Sequence, residues 1–249
     1  MKPYYEEAGI TIYHGDSFQV LPTFDPLPGI IVTDVPYGVG KDYGLRSKDD
    51  IAGFQRAIRL IADSLAPACS TFAVCRIWDV PVRPQWTGVW AKTYGASALL
   101  AYPVYPHWEP IGFWNIKGNY RGNCGHRSDV FVFPPERAQD SDHPAPKPLS
   151  LMAELIEFMG GSVAFDPFMG SGTTLVAAKR LGLTAIGIEI EERYCEIAVR
   201  RLAQSVMQFP APEPAAGSAE EVNRFTEQAT RDAASPVPCQ GMRSQAQST

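Results

Sequence analysis

The sequence predicts an α/β protein built on a doubly wound, mostly parallel sheet. Short apolar runs alternate with amphipathic helical segments along most of the chain, the pattern of successive βαβ units. One of those runs, AFDPFMGSGTTLVAA (164–178), passes through a tight Gly-x-Gly turn straight into a helix. The 249 residues suit one large domain or two small ones, and a one-domain α/β enzyme is the default for that length.

The elements follow in order. ITIY (10–13) is an apolar strand ending at HGDS, and GIIVTDV (29–35) is a second ending at PYGVG; both feed turns. Ile51, Phe54, Ile58, Ile61 and Leu65 recur at helical spacing, and Pro67 closes that helix. STFAVCRIW (70–78), SALLAY (97–102), PIGFWNI (110–116) and DVFVFP (129–134) are further strands. PLSLMAELIEFMGG (148–161) is a helix with proline near its start and glycines at its end. SVAFDPF (162–168) and TAIGIEI (184–190) are strands on either side of the helix TTLVAAKRLG (173–182), and EERYCEIAVRRLAQS (191–205) is the last helix. After Phe209 the composition shifts to Ala, Pro, Ser, Gln and Glu. Residues 210–249 cannot bury enough apolar surface to offset their ordering entropy, so they are expected to be a disordered tail on a 1–209 domain.

Charge and composition exclude several classes. The chain has 22 Lys+Arg against 27 Asp+Glu, a formal net charge of -5. The balance is uneven: residues 1–40 hold 1 basic and 5 acidic side chains, whereas 41–147 hold 13 and 10. Nucleic-acid binding therefore stays open, because one basic face matters more than the total. No run approaches 18 uncharged apolar residues, so no membrane-spanning helix is expected. The opening MKPYYEEAGI lacks the apolar stretch of a secretory signal. The cysteines (Cys69, Cys75, Cys124, Cys195, Cys239) are odd in number and form no CxxC pair, so neither a disulfide framework nor a structural zinc is expected. These features fit a soluble cytoplasmic protein.

Two constellations carry chemistry. In the glycine turn, Gly170 and Gly172 allow positive φ and close approach of a ligand to the backbone. Thr173 and Thr174 open a helix whose unpaired N–H groups favour an anionic or carboxylate-bearing group. Glu189, 17 residues beyond Gly172 at the end of the next strand, is placed to accept hydrogen bonds from ribose hydroxyls. No Gly-Lys-Ser/Thr follows, so this is not a P-loop. The third glycine of GxGxxG is missing too, which favours a nucleoside without phosphates. The other reading is an ordinary strand-to-helix turn with a surface glutamate. The second constellation, TDVPYG (33–38), sets Asp34, Pro36 and Tyr37 at the carboxyl end of a buried strand. It offers an acceptor, a fixed backbone carbonyl and a stacking plate for a planar group with an exocyclic amine, such as an extruded nucleobase. The alternative is a turn whose Asp caps and whose Tyr packs.

Together these residues resemble the amino-methylating DNA methyltransferases, which use S-adenosylmethionine to methylate N6 of adenine or N4 of cytosine. YHGDS (13–17) is similar to the family's short acidic motif and TDVPYG to its Asp-Pro-Pro-Tyr motif. HPAPKPLSLMAELI (143–156) resembles the segment that begins its cofactor half, and residues 165–202 resemble its cofactor motif nearly throughout. The catalytic motif preceding the cofactor motif is the circularly permuted order of the beta class. The resemblance implies an S-adenosylmethionine-dependent, Rossmann-like sheet. It implies that Asp166, Phe168, Gly170, Ser171, Gly172 and Thr173 surround the cofactor and that Glu189 binds its ribose. It also implies that Asp16 meets its adenine amine and Lys147 its carboxylate. Asp34 and the carbonyl of residue 35 would accept from the target amine beside Pro36, with Tyr37 stacking on the flipped base. Two acceptors aimed at the amine hydrogens turn its lone pair toward the methyl, and in-line positioning supplies the rest, with no metal and no covalent enzyme intermediate.

Residue 35 is Val where the family has Pro; the carbonyl is kept, but proline's fixed φ is lost. Asp rather than Ser at position 34 favours adenine over cytosine. Residues 117–142, helped by 39–50, are left as a small target-reading insert in which Lys117, Tyr120, Arg121 and Arg127, with His126, would meet DNA. So small an insert implies a short site, low specificity or a homodimer that shares the reading, and the resemblance admits a cognate restriction endonuclease as a second partner beside double-stranded DNA. Rival readings are a methyltransferase acting on RNA or protein amides and a DNA-binding relative without turnover. The five tryptophans are read as core, Cys75 and Cys195 as inert and His107 as a surface residue.

Overall fold

The computed structural model describes residues 2–27, 29–36, 51–73, 76–93, 107–116, 128–136 and 147–204. SALLAY, Tyr37, Cys75, the stretch 117–127 and the 210–249 tail lie outside them. The described residues form a nine-stranded sheet: β1 (Tyr5–Glu7), β2 (Ile10–His14), β3 (Ile30–Asp34), β4 (Ala68–Thr71), β5 (Trp86–Ala91), β6 (Trp108–Trp114), β7 (Val130–Val132), β8 (Val163–Asp166) and β9 (Thr184–Glu189). Their spatial order is β1-β2-β9-β8-β3-β4-β6-β5-β7. The five strands from β2 to β4 run parallel, β1 caps one edge antiparallel, and β6 lies antiparallel between β4 and β5 before β7 pairs parallel with β5.

Helices cover both faces. α1 (Ser17–Val20) and α2 (Ile51–Asp63) pack on one face, where Val20, Phe54, Ile58 and Ile61 meet Ile31, Phe165 and Ile188. α3 (Leu149–Met159), α4 (Thr173–Arg180) and α5 (Glu192–Gln204) pack on the other against Ile10, Ile12, Ile30 and Val32. Ile30 and Val32 thus point to one layer and Ile31 to the other, and burial on both faces is why β3 reads as an unbroken apolar run. The doubly wound fold expected from the alternation is the one observed. Among the described residues no helix is long and apolar enough to cross a membrane.

The topology creates the site. From β3 the chain crosses through α2 to β4 on one side, and from β8 it crosses through α4 to β9 on the other. β3 and β8 are neighbours, so their carboxyl ends flank the crevice where strand order reverses, the usual ligand position in such sheets.

Three sequence readings need correction. The strand expected over 70–78 is confined to Ala68–Thr71. Beyond it Phe72 packs its ring on Phe54, centroids 5.8 Å apart, and a turn closes through the Arg76 N–H to the Ala73 carbonyl. β1, β5 and α1 were not expected. The tryptophans are not uniformly core: Trp90 and Trp114 are buried, but Trp78 is 91% exposed and Trp86 and Trp108 also reach solvent. Cys195 is buried and His107 exposed, as read. Within the span assigned to target reading, Val130–Val132 is an edge strand of the sheet.

Candidate active site

Two aspartates end the two strands at the crevice, Asp34 on β3 and Asp166 on β8. Asp166 is buried and fully committed. Its Oδ1 accepts from the Thr33 hydroxyl (2.6 Å) and the Phe168 N–H (3.0 Å), and its Oδ2 from the Thr174 hydroxyl (2.5 Å). One carboxylate thereby ties β3, the glycine turn and the start of α4 together. Burial pushes its pKa up to about 6 against those hydrogen bonds, with the charge of Asp34 adding to the rise.

The turn after Asp166 is held from every side. The Ser17 hydroxyl donates to the Pro167 carbonyl, the Met169 N–H donates to the Ile188 carbonyl and the Gly172 N–H to the Met169 carbonyl. Gly172 adopts φ +79, and a Cβ there would lie 2.8 Å from the Cβ of Ala198 on α5, so glycine is required for both conformation and packing. A further clamp, not anticipated from the sequence, comes from α5. Arg201 donates through one nitrogen to the Ser171 carbonyl (2.8 Å), the Ser171 hydroxyl (2.9 Å) and the Thr173 hydroxyl (3.1 Å).

Glu189, 9% exposed, faces the same turn from the end of β9. Its Oε2 accepts from the Gly170 N–H (3.0 Å) and its Oε1 from the Glu191 N–H (2.8 Å). Burial nevertheless pushes its pKa up to about 7. Asp16 follows β2, the neighbour of β9, and Oδ1 of its carboxylate caps α1 through the Phe18 N–H (2.9 Å). The Gly15 N–H donates to the Glu189 carbonyl (2.8 Å), which holds the two acidic residues on adjacent strand ends. Beside them Oε1 of Glu191 is buried with no hydrogen-bond partner among the described residues. Phe168 and Phe18 pack with ring centroids 6.0 Å apart. This edge of the crevice is therefore rich in acceptors, the donor–acceptor complement of a ligand bearing hydroxyls and amines.

Asp34 stands on the other side. Thr71 donates to its Oδ1 (2.5 Å) and the Lys147 ammonium pairs with its Oδ2 (2.8 Å). Burial raises the Asp34 carboxyl above the usual range even though 26% of its side chain reaches solvent; Lys147 opposes the rise and Glu109 adds to it. Lys147 also lies 3.6 Å from Glu109, which binds Lys92 at 2.7 Å. The crevice thus places Lys147 against the Asp34 half of the site. The side chain of Val35 is 1% exposed and belongs to the apolar cluster of Phe54, Ile58 and Phe72. Core packing, rather than a proline ring, anchors the backbone between Asp34 and Pro36.

The structure brings Asp34, Val35 and Pro36 to one side of the crevice and Asp16, Asp166, Phe168, Gly170, Ser171, Gly172, Thr173 and Glu189 to the other. Tyr37, Lys117, Tyr120, Arg121 and Arg127 lie outside the described residues. Replacing Arg201 with Ala should loosen the glycine turn while leaving the strand ends in place. The expected outcome in a calorimetric titration is roughly tenfold weaker ligand binding at the crevice, on the scale of one or two hydrogen bonds; unchanged affinity would show that the clamp is dispensable.

Comparison with known proteins bears on what this site does. A family model described as DNA methylase, of the N6/N4 methyltransferase type, matches residues 86–200. The type II methyltransferase M.ScaI of Streptomyces caespitosus is 28% identical, with the match covering 81% of this chain and 84% of its own. Among solved structures, the M1.HpyAVI–SAM complex aligns with a TM-score of 0.58 at 24% identity, over 78% of this chain and 98% of its own. The cytosine-N4-specific PvuII DNA methyltransferase aligns with a TM-score of 0.62 at 14% identity, over 92% of this chain and 95% of its own. Both structural likenesses are likenesses of fold.

Proposed function

We propose that the chain is an amino-methylating DNA methyltransferase, a reading supported by the family match over residues 86–200 and the likeness to M.ScaI, and that it transfers the methyl group of S-adenosylmethionine to N6 of adenine in double-stranded DNA. The observation that carries the reading is the junction of β3 and β8, where the Thr33 hydroxyl on Asp166 holds the Asp34 strand and the glycine turn in one rigid unit. The donor set fits the cofactor. Its ribose hydroxyls, adenine amine and ammonium are all donors, and the crevice edge presents Glu189, Asp16 and Oε1 of Glu191, which has no hydrogen-bond partner among the described residues. Glu189 would take the ribose and Asp16 the adenine amine. Phe168, Gly170, Ser171, Gly172 and Thr173 would line the rest, with Asp166 fixing the turn.

Bound S-adenosylmethionine supplies an electrophilic sulfonium methyl. The protein's part is to make a poor nucleophile competent. The amine lone pair is delocalised into the base, and acceptors at Asp34 and at the carbonyl of Val35 would draw its hydrogens to one side. Thr71 and Lys147 hold the Asp34 carboxylate in place at the strand end. Both acceptors sit on the end of a central strand, and preorganised dipoles of this kind act most strongly where water is excluded. Pro36 would keep the backbone turned and Tyr37 would stack on the extruded base.

Asp34 supports adenine over cytosine. N4 of cytosine is the second reading, since the two amines present the same hydrogens to the same acceptors. DNA contacts would come from Lys117, Tyr120, Arg121 and Arg127. The type II name of M.ScaI supports a cognate endonuclease as partner, and a homodimer would enlarge the small target-reading surface. Transfer of a labelled methyl group from S-adenosylmethionine to duplex DNA, but not to RNA, is the expected result with purified protein; label entering RNA alone would move the substrate class.

A further inference from the structure

Beside Asp34 lies a buried group of charges that the methyl transfer just described leaves unexplained. Lys92 follows β5 and Glu109 is the second residue of β6, and the antiparallel register that pairs Trp90 with Glu109 sets them side by side. Lys92 binds Oε1 of Glu109 at 2.7 Å. Oε2 of the same carboxylate is buried without a hydrogen-bond partner among the described residues, and the Lys147 ammonium stands 3.6 Å from it. Lys147 instead binds Oδ2 of Asp34 at 2.8 Å. The Trp90 ring underlies both ammoniums, 4.8 Å from Lys92 and 5.9 Å from Lys147.

An orphaned buried carboxylate oxygen is costly. Oε2 of Glu109 has a use if the lysine has two seats. We propose that Lys147 exchanges partners within this cluster, resting on Asp34 in the free protein and moving to Glu109 when the target amine reaches Asp34. This rests on the reading of Asp34 as the amine acceptor and makes Glu109 a positioning residue. The shift needed to reach hydrogen-bond distance is about 1 Å. The cluster holds two cations and two anions in either arrangement, so the exchange moves charge locally without changing the total. Lys92 fixes Glu109 and keeps the second seat ionised: burial raises the Glu109 carboxyl, but Lys147 and Lys92 outweigh it and leave its pKa below the usual range. Burial lowers the Lys147 ammonium, and Asp34 and Glu109 outweigh that in turn, so it stays charged in both seats.

A melting cycle on the full chain without cofactor or DNA tests the two-seat arrangement independently of any activity. Asp34→Asn and Glu109→Gln each leave Lys147 one carboxylate, so each should lower Tm by only a few degrees, about the shift of 1 kcal/mol for a chain of this size. The double variant removes both carboxylates that the ammonium shares and should lose more than the sum of the two single variants. In a Lys147→Met background the same two substitutions should become additive and the excess loss should be recovered. Additive losses with Lys147 present, or no recovery with Lys147→Met, would overturn the proposal.

Turnover on DNA gives a second readout that a merely structural role would not move. Glu109→Gln traps Lys147 on Asp34, so kcat should fall at least tenfold while KM for the cofactor stays unchanged. An unchanged kcat would also overturn the proposal. A wild-type chain that methylates no DNA would count against the assigned reaction, while the melting cycle would still decide the arrangement.

Discussion

Replacing Asp34 with Ala should reduce methyl transfer to DNA by at least about 100-fold, the scale on which removal of one preorganised electrostatic partner acts at a reacting centre. Cofactor binding should change little, because Glu189, Asp16 and the glycine turn stand on other strand ends. The variant should also fold. Lys147 loses its 2.8 Å partner but keeps Glu109 at 3.6 Å as a counter-ion, so no buried ammonium is stranded. Single-turnover rates at saturating cofactor, measured beside calorimetric binding, check both halves. Equal loss of binding and turnover would mean that Asp34 shapes the cofactor site rather than meeting the target amine.

The second large effect is at Glu189 and depends on pH. Its carboxyl is pushed up to about 7 by burial, so in the free protein it is largely protonated at pH 6 and largely ionised at pH 8. In the proposed role, ribose hydroxyls would donate to the ionised form, so S-adenosylmethionine should bind more tightly as pH rises through that range. Stability of the free protein should run the other way. A folded-state pKa above the ordinary value of 4.5 means the contribution of Glu189 is complete below about 4.5 and is lost as pH climbs through about 7. Asp166, pushed up to about 6 from 3.8, has the same sign at lower pH. Free protein should therefore melt at lower temperature at pH 8 than at pH 5.5, and saturating cofactor should narrow the difference. Glu189→Gln should flatten both profiles and weaken binding at pH 8 roughly 10- to 100-fold, the worth of hydrogen bonds to a charged acceptor. A Gln variant that keeps the pH dependence of affinity would place the titrating group elsewhere.

Much of the framework was legible because local pattern and tertiary demand agree. The run from β8 through the glycine turn to α4 and β9 has a strand buried on both faces, a positive-φ glycine at Gly172 and a helix with its inner face apolar, each written in adjacent residues. The β3 run IIV declares its burial in the same way. β5 does not. WTGVWA opens with two exposed residues and a glycine, and its strand character comes from pairing with β6 and β7. The overextended 70–78 strand is the converse case, an apolar run whose later members serve the α2 core rather than the sheet.

At the crevice, the strand-end positions of the motif residues were readable one by one, but the pairings that the fold makes between distant residues were not. Asp34 and Lys147 are separated by 113 positions, and Lys92 and Glu109 meet only because β5 and β6 pair antiparallel. Arg201 left one usable signal. It sits a turn beyond Ala198 and next to Leu202, both buried, so a half-buried arginine borders the inner stripe of an otherwise amphipathic helix. A cation there requires acceptors, and the carbonyl and hydroxyl of Ser171 and the hydroxyl of Thr173 supply them.

Mass spectrometry of nucleosides from the DNA of a methylation-free host expressing this chain, beside the same host expressing Asp34→Ala, tests the central claim most directly. N6-methyladenine should appear with the intact chain and fall to background with the variant. N4-methylcytosine in its place would keep the roles of Asp34 and the cofactor crevice and reassign the base. Soluble, cofactor-binding protein that leaves neither modified base above background would contradict the account.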